Sequence, residues 1–163
     1  MNAAVISTSL PQTIANEVFT AILDYPGVKL SLQTEKDIVE ACEANTIAIP
    51  YYADVGSDND DVIITVSIPD ELTINTISNT WNNIVVQSGY TSNPVLLSGG
   101  DYTLIQTGGM NVYTIDIVQL LGDSLGALAG GTINVGVDTP CDATSNTVYT
   151  PTAQVYFAND YGQ

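Results

Sequence analysis

Alternation of period two constrains this chain more than any other feature. Val62, Ile64, Val66 and Ile68 occupy every second position, as do Tyr113, Ile115 and Ile117, then Ile133, Val135 and Val137, and last Ala153, Val155 and Phe157. Successive side chains of a strand point to opposite faces, so each set lines one face of a strand. Shorter candidates run Val28 to Gln33, Thr46 to Ala53, Asn83 to Gln87, Pro94 to Leu97 and Asp101 to Gln106, for roughly eight or nine strands in all. Breaks fall at Gly56 to Asp61, Pro69-Asp70, Ser98 to Gly100, Gly130-Gly131 and Thr139-Pro140. Gly108-Gly109 marks the clearest hairpin, because two glycines accept the positive φ angles of a tight primed turn. Short strands so spaced predict an all-β fold, an antiparallel sandwich, over any βαβ arrangement.

One segment follows a different period. Ile14, Val18, Phe19, Ile22 and Leu23 recur at helical spacing, with Ser9 as a cap and Pro11 in the first turn. This predicts a short amphipathic helix ending before Tyr25-Pro26-Gly27. The chain thus divides into an N-terminal arm, 1–27, and a sandwich, 28–163. Those five apolar residues either dock on a neighbouring subunit, as an assembly surface, or cap an open end of the same domain. No basic region precedes the apolar run in Met1 to Leu10, and no stretch is long enough to span a membrane, so the chain reads as a gene product without a signal peptide.

Charge excludes several functions. Of 163 residues, 18 are acidic and two are lysines, Lys29 and Lys36, for a formal charge of -16. With so few cations the counterion-release term that drives nucleic-acid binding is absent, and an anionic membrane repels the surface. Nucleic acid and membrane are therefore not expected partners. The sequence has no histidine, which removes the usual general base, the Ser/His/Asp triad and the commonest zinc ligand. Gly122-Asp123-Ser124-Leu125-Gly126 matches a nucleophile elbow in letters, but without a histidine it reads as a turn.

Between about residues 46 and 140 the sequence resembles the Ig-like repeat domains of large bacterial cell-surface proteins. The residues that carry this are Ala53-Asp54-Val55-Gly56-Ser57, then Val62 through Ile68-Pro69-Asp70-Glu71-Leu72, then Leu128-Ala129-Gly130-Gly131-Thr132-Ile133-Asn134-Val135-Gly136-Val137. Ig-like domains of comparable kind also decorate tailed-phage heads, tails and fibres. The resemblance implies an Ig-like β-sandwich, protein subunits as partners, and no catalytic residues.

The candidate sites are few. Asp58, Asp60 and Asp61 form an oxygen-rich loop with Asn59 that could hold calcium or be a solvated turn, and EF-hand spacing is missing. No other cofactor is expected. Cys42 and Cys141 are either a disulfide closing a loop of about a hundred residues, which implies an oxidising compartment, or two reduced thiols. Tyr51, Tyr52, Trp81 and Tyr90 either stack on carbohydrate or fill the core. Lys29 and Asn159 resemble the lysine–asparagine crosslinks of some surface Ig-like domains, which require a buried lysine. The expectation is a non-enzymatic structural protein of a phage virion, such as a head-decoration, tail or fibre component. The alternative is an extracellular adhesive or spacer module of a bacterial surface protein, stiffened by calcium if the aspartate loop binds it.

Overall fold

The computed structural model describes residues 27–37, 39–55, 59–84, 93–144 and 146–159. Two antiparallel sheets face each other. The first has the order β1 (Val28–Leu30), β3 (Ala44–Ala53), β9 (Gly130–Asp138), β5 (Thr73–Asn82), β6 (Val95–Leu96), with β2 (Gln33–Thr34) continuing the β1 edge along β3. The second has the order β10 (Thr152–Asn159), β4 (Asn59–Pro69), β8 (Met110–Asp116), β7 (Thr103–Thr107). The alternating residues close on one another. Val62, Ile64, Val66, Ile68, Tyr113, Ile115 and Ala153 of the second sheet are buried against Ile47, Ile49, Tyr51, Ile77, Trp81, Ile133, Val135 and Val137 of the first.

The fold is the expected antiparallel Ig-like sandwich, with four local differences. β5 was not legible, because the middle of its inner face is Asn79, between Ile77 and Trp81, and its outer residues are Thr, Ser and Asn. The strand expected over Asn83 to Gln87 is absent where it is described: β5 ends at Asn82, and Asn83 turns with φ 56°. Gly130-Gly131 is not a break but the start of β9. Those glycines stand in the strand because β3 and β5 crowd them: a Cβ on Gly131 would lie 2.7 Å from the Tyr51 hydroxyl and from the Thr80 carbonyl. Ile117 is not the end of a strand but the first residue of α1 (Ile117–Leu121), whose N-cap Asp116 accepts a hydrogen bond from the Gln119 amide at 2.9 Å. The expected N-terminal helix lies outside the described residues.

Asn79 is fully buried, and its Oδ1 accepts a hydrogen bond from the Tyr51 hydroxyl at 3.1 Å. Burial also pushes the Tyr51 hydroxyl well above the usual tyrosine range. Removing one member of a buried pair strands the other. Tyr51→Phe is therefore expected to lower stability by about 1–3 kcal/mol in urea unfolding. Adding Asn79→Leu to it should recover most of that loss; a double variant less stable than the single would show that the pair does not act as a unit.

Beyond the β3–β9 ladder the segments that flank the two strands stay joined. Cys42 donates its amide to the Thr139 carbonyl at 3.2 Å, Thr139 donates to Glu43 at 2.9 Å, and Cys42 and Cys141 form a disulfide with Cα atoms 4.4 Å apart. Beside it, Glu43 accepts hydrogen bonds from the Lys36 ammonium and the Glu40 amide, both at 2.7 Å. The Lys36 ammonium, then the Glu40 amide, hold the Glu43 carboxyl below its ordinary 4.5. A depressed carboxyl adds stability above its unfolded pKa and loses it as pH falls through the folded one. The small stability gap between wild type and Glu43→Gln should therefore be full above about pH 4.5 and close in more acid solution, as read by melting at several pH values. A gap independent of pH would sink this assignment.

Candidate functional site

Among the described residues the sequence candidates do not assemble into a chemical site. Asp60 and Asp61 lie in β4 itself rather than in a turn, where the pairing with β10 slips by a residue, Asp61 facing Ala158 and Asn59 facing Asn159. Asp60 is exposed and Asp61 half-buried, and Asp58 lies outside the described residues. Among the described residues no group of three or more His, Cys, Asp or Glu side chains is placed to hold a metal ion. Tyr51 and Trp81 are buried in the core, so their faces cannot stack on a sugar. Tyr52 is half-exposed, with the Lys29 ammonium 5.8 Å from its ring centroid, and Tyr90 lies outside the described residues. Lys29 is not the buried lysine a crosslink needs: it is exposed and bonded to Asp54 at 2.9 Å, which raises its pKa. The assembly residues Ile14, Val18, Phe19, Ile22 and Leu23 also lie outside the described residues.

Ser124 follows the helix instead of standing between a strand and a helix, as a nucleophile elbow must. Gly122 caps α1 in the left-handed region at φ 74°, and Leu125 bridges to Asn59. The adjoining depression, about 200 Å³ and lined by Asn83, Leu121, Asp123 and Ser124 among others, falls short of the usual ~300–1,000 Å³ of a small-molecule pocket. Among the described residues no helix is long and apolar enough to cross a membrane.

What the structure does build is a pair of uncharged faces. The strand register aligns Gln154, Thr65, Thr114 and Thr103 in one row of the second sheet and Thr152, Ser67, Val112 and Ile105 in the next. On the first sheet two central outward rows are Pro50, Thr132, Thr80 and Ala48, Asn134, Ser78, Leu96, and the charge on this face, Lys29, stands at its β1 edge opposite Tyr52. The described acids sit in loops or near strand ends, as Asp61, Asp116 and Asp138 do. A strongly anionic chain therefore presents broad surfaces that another protein can approach without meeting charge.

The edges differ as well. β1 and β2 are short, broken pieces carrying Lys29; β6 has two residues; β10 pairs in continuous register from Thr152 to Ala158, slips only at Asn159, and has the start of β1 beside it, Gly27 against the Phe157 ring. Shortness, a lysine and a neighbouring segment are usual ways of blunting a sheet edge. β7 has none of them. It pairs with β8 in continuous register, carries neither charge nor proline, and leaves Leu104 47% and Ile105 61% exposed. The sequence reading located this strand but not its exposure. Its signal was available: no charged residue occurs from Tyr102 to Ile115.

No protein-family model and no curated protein matches the sequence. Solved structures share the fold at low identity. The major pilin subunit BcpA of Bacillus cereus superposes with a TM-score of 0.53 at 8% identity, over 83% of this chain and 36% of that one. The pilus backbone RrgB of Streptococcus pneumoniae gives 0.52 at 12% identity, over 82% of this chain and 32% of that one. CaCohA2 of Clostridium acetobutylicum gives 0.50 at 11% identity, over 84% and 82%. The chain spans about a third of the length of the two pilus proteins.

Proposed function

We propose that this chain is a non-enzymatic structural or adhesive module of the bacterial cell surface, acting through protein–protein contact. The observation that carries the reading is the sandwich with uncharged faces, built on a fold shared with two bacterial pilus proteins. The disulfide joining β3 to the end of β9 adds to it, since such bonds persist in oxidising compartments. Absent histidine and arginine, and a Ser124 set in a turn, speak against hydrolytic chemistry. The pilus likeness favours a surface setting over the virion role that the sequence first suggested.

The test is location. Antibody against the chain should label intact cells of the bacterium that makes it, and alkylation of the protein recovered from those cells should find no free thiol. Label that appears only after lysis, or that sediments with phage particles, would overturn the surface reading.

A further inference from the structure

We infer that β7 is a self-association edge, at which two copies of this chain pair antiparallel about a two-fold axis through Ile105. β1, β2 and β6 are short or broken and β10 has β1 beside it, whereas β7 is uncharged, pairs in continuous register and exposes Leu104 and Ile105 at its edge. In a hairpin with a two-residue loop, the residues flanking the turn exchange backbone hydrogen bonds. Thr107 faces Met110 across Gly108-Gly109, so Thr107, Ile105 and Thr103 direct their amides and carbonyls to β8. Leu104 and Gln106 direct theirs outward, unpaired within the sheet.

A copy related by the two-fold places Leu104 opposite Gln106 of its mate, and the reverse. Each such pair exchanges two backbone hydrogen bonds, and Ile105 meets Ile105 at the close, non-hydrogen-bonded position between them. Charge selects a second copy as occupant. Thr103 to Thr107, the residues that pair, are neutral in a chain of formal charge -16, so two copies align along the strand with no acid facing an acid within it; the nearest acids, Asp101 and the mate's Asp70 beside Gly109, lie past its ends. The contact is isologous and closed, giving a dimer rather than a fibre. The rest of each molecule still repels its mate, and salt screens that repulsion, so pairing strengthens as salt rises.

The test is sedimentation equilibrium of the full chain at low and at 0.5 M NaCl, about 4 Å of screening length. A dimer favoured by salt is expected. Ile105→Lys sets two ammonium groups face to face and should raise the dissociation constant at least about a hundredfold. Tyr156→Lys adds the same charge at a residue 60% exposed on β10, at the far edge of the same sheet, and should leave the dimer intact. Amide exchange gives a residue-level readout: the Leu104 and Gln106 amides gain protection with concentration, while those of Thr103 and Ile105 do not change. A chain that stays monomeric at millimolar concentration in 0.5 M NaCl overturns the inference, as does a dimer that survives Ile105→Lys. Neither result touches the surface reading, which location alone decides.

Discussion

Replacing Cys42 and Cys141 together with serine is expected to lower the unfolding free energy by about 4–5 kcal/mol, the chain-entropy value for a closed loop of about a hundred residues. Both cysteines are exposed, so serine opens no cavity in the core. The backbone bonds from Cys42 to Thr139 and from Thr139 to Glu43 hold the same strand ends in register without the sulfur link. The effect therefore arises in the unfolded state, which the disulfide keeps compact by tying together everything from β3 through β9. Two signatures separate this from a local structural defect. The urea m-value should increase, since the released chain exposes more surface on unfolding. Wild type in reductant should match the double-serine variant. Equal midpoints for oxidised and reduced wild type would defeat the prediction.

Gly131→Val is expected to cost about 3 kcal/mol or more, at the upper end for overpacking a core. The cause is a row across the first sheet in which Tyr51 and Trp81, both buried, flank Gly131 on either side. Any Cβ there meets the Tyr51 hydroxyl and the Thr80 carbonyl at 2.7 Å, and backbone cannot give way in the central strand of a sheet. Valine is otherwise a good strand residue, so local preference alone predicts the opposite sign. Gly126→Ala is the control: nothing stands within 4 Å of a Cβ there. It should be neutral or stabilise by about 0.4–1 kcal/mol through a less free unfolded chain. If both variants melt alike, crowding is not what placed glycine in β9.

Asn79 and Gly131 mark features that periodicity does not show. A strand announces itself by alternation only when its buried positions are apolar, as Val62, Ile64, Val66 and Ile68 are. β5 buries Asn79, satisfied in part by a tyrosine 28 positions away, and so shows no apolar alternation. Gly130-Gly131 looked like a turn because glycine's freedom is a local property, whereas its small size in β9 answers to neighbours on β3 and β5. The candidate surface was half legible. The missing charges from Tyr102 to Ile115 are written in the chain, but that β7 ends its sheet is a matter of strand order.

By itself the sequence determined that strands form, which of their faces are apolar, and that the chain is strongly anionic, because periodicity and charge are properties of neighbouring residues along the chain. Only the tertiary structure decided which strands are edges, where glycine must stand, and that Tyr51 and Trp81 belong to the core rather than to a ligand. Those facts depend on contacts between residues far apart in sequence, and long-range pairing is fixed only when two sheets close on each other.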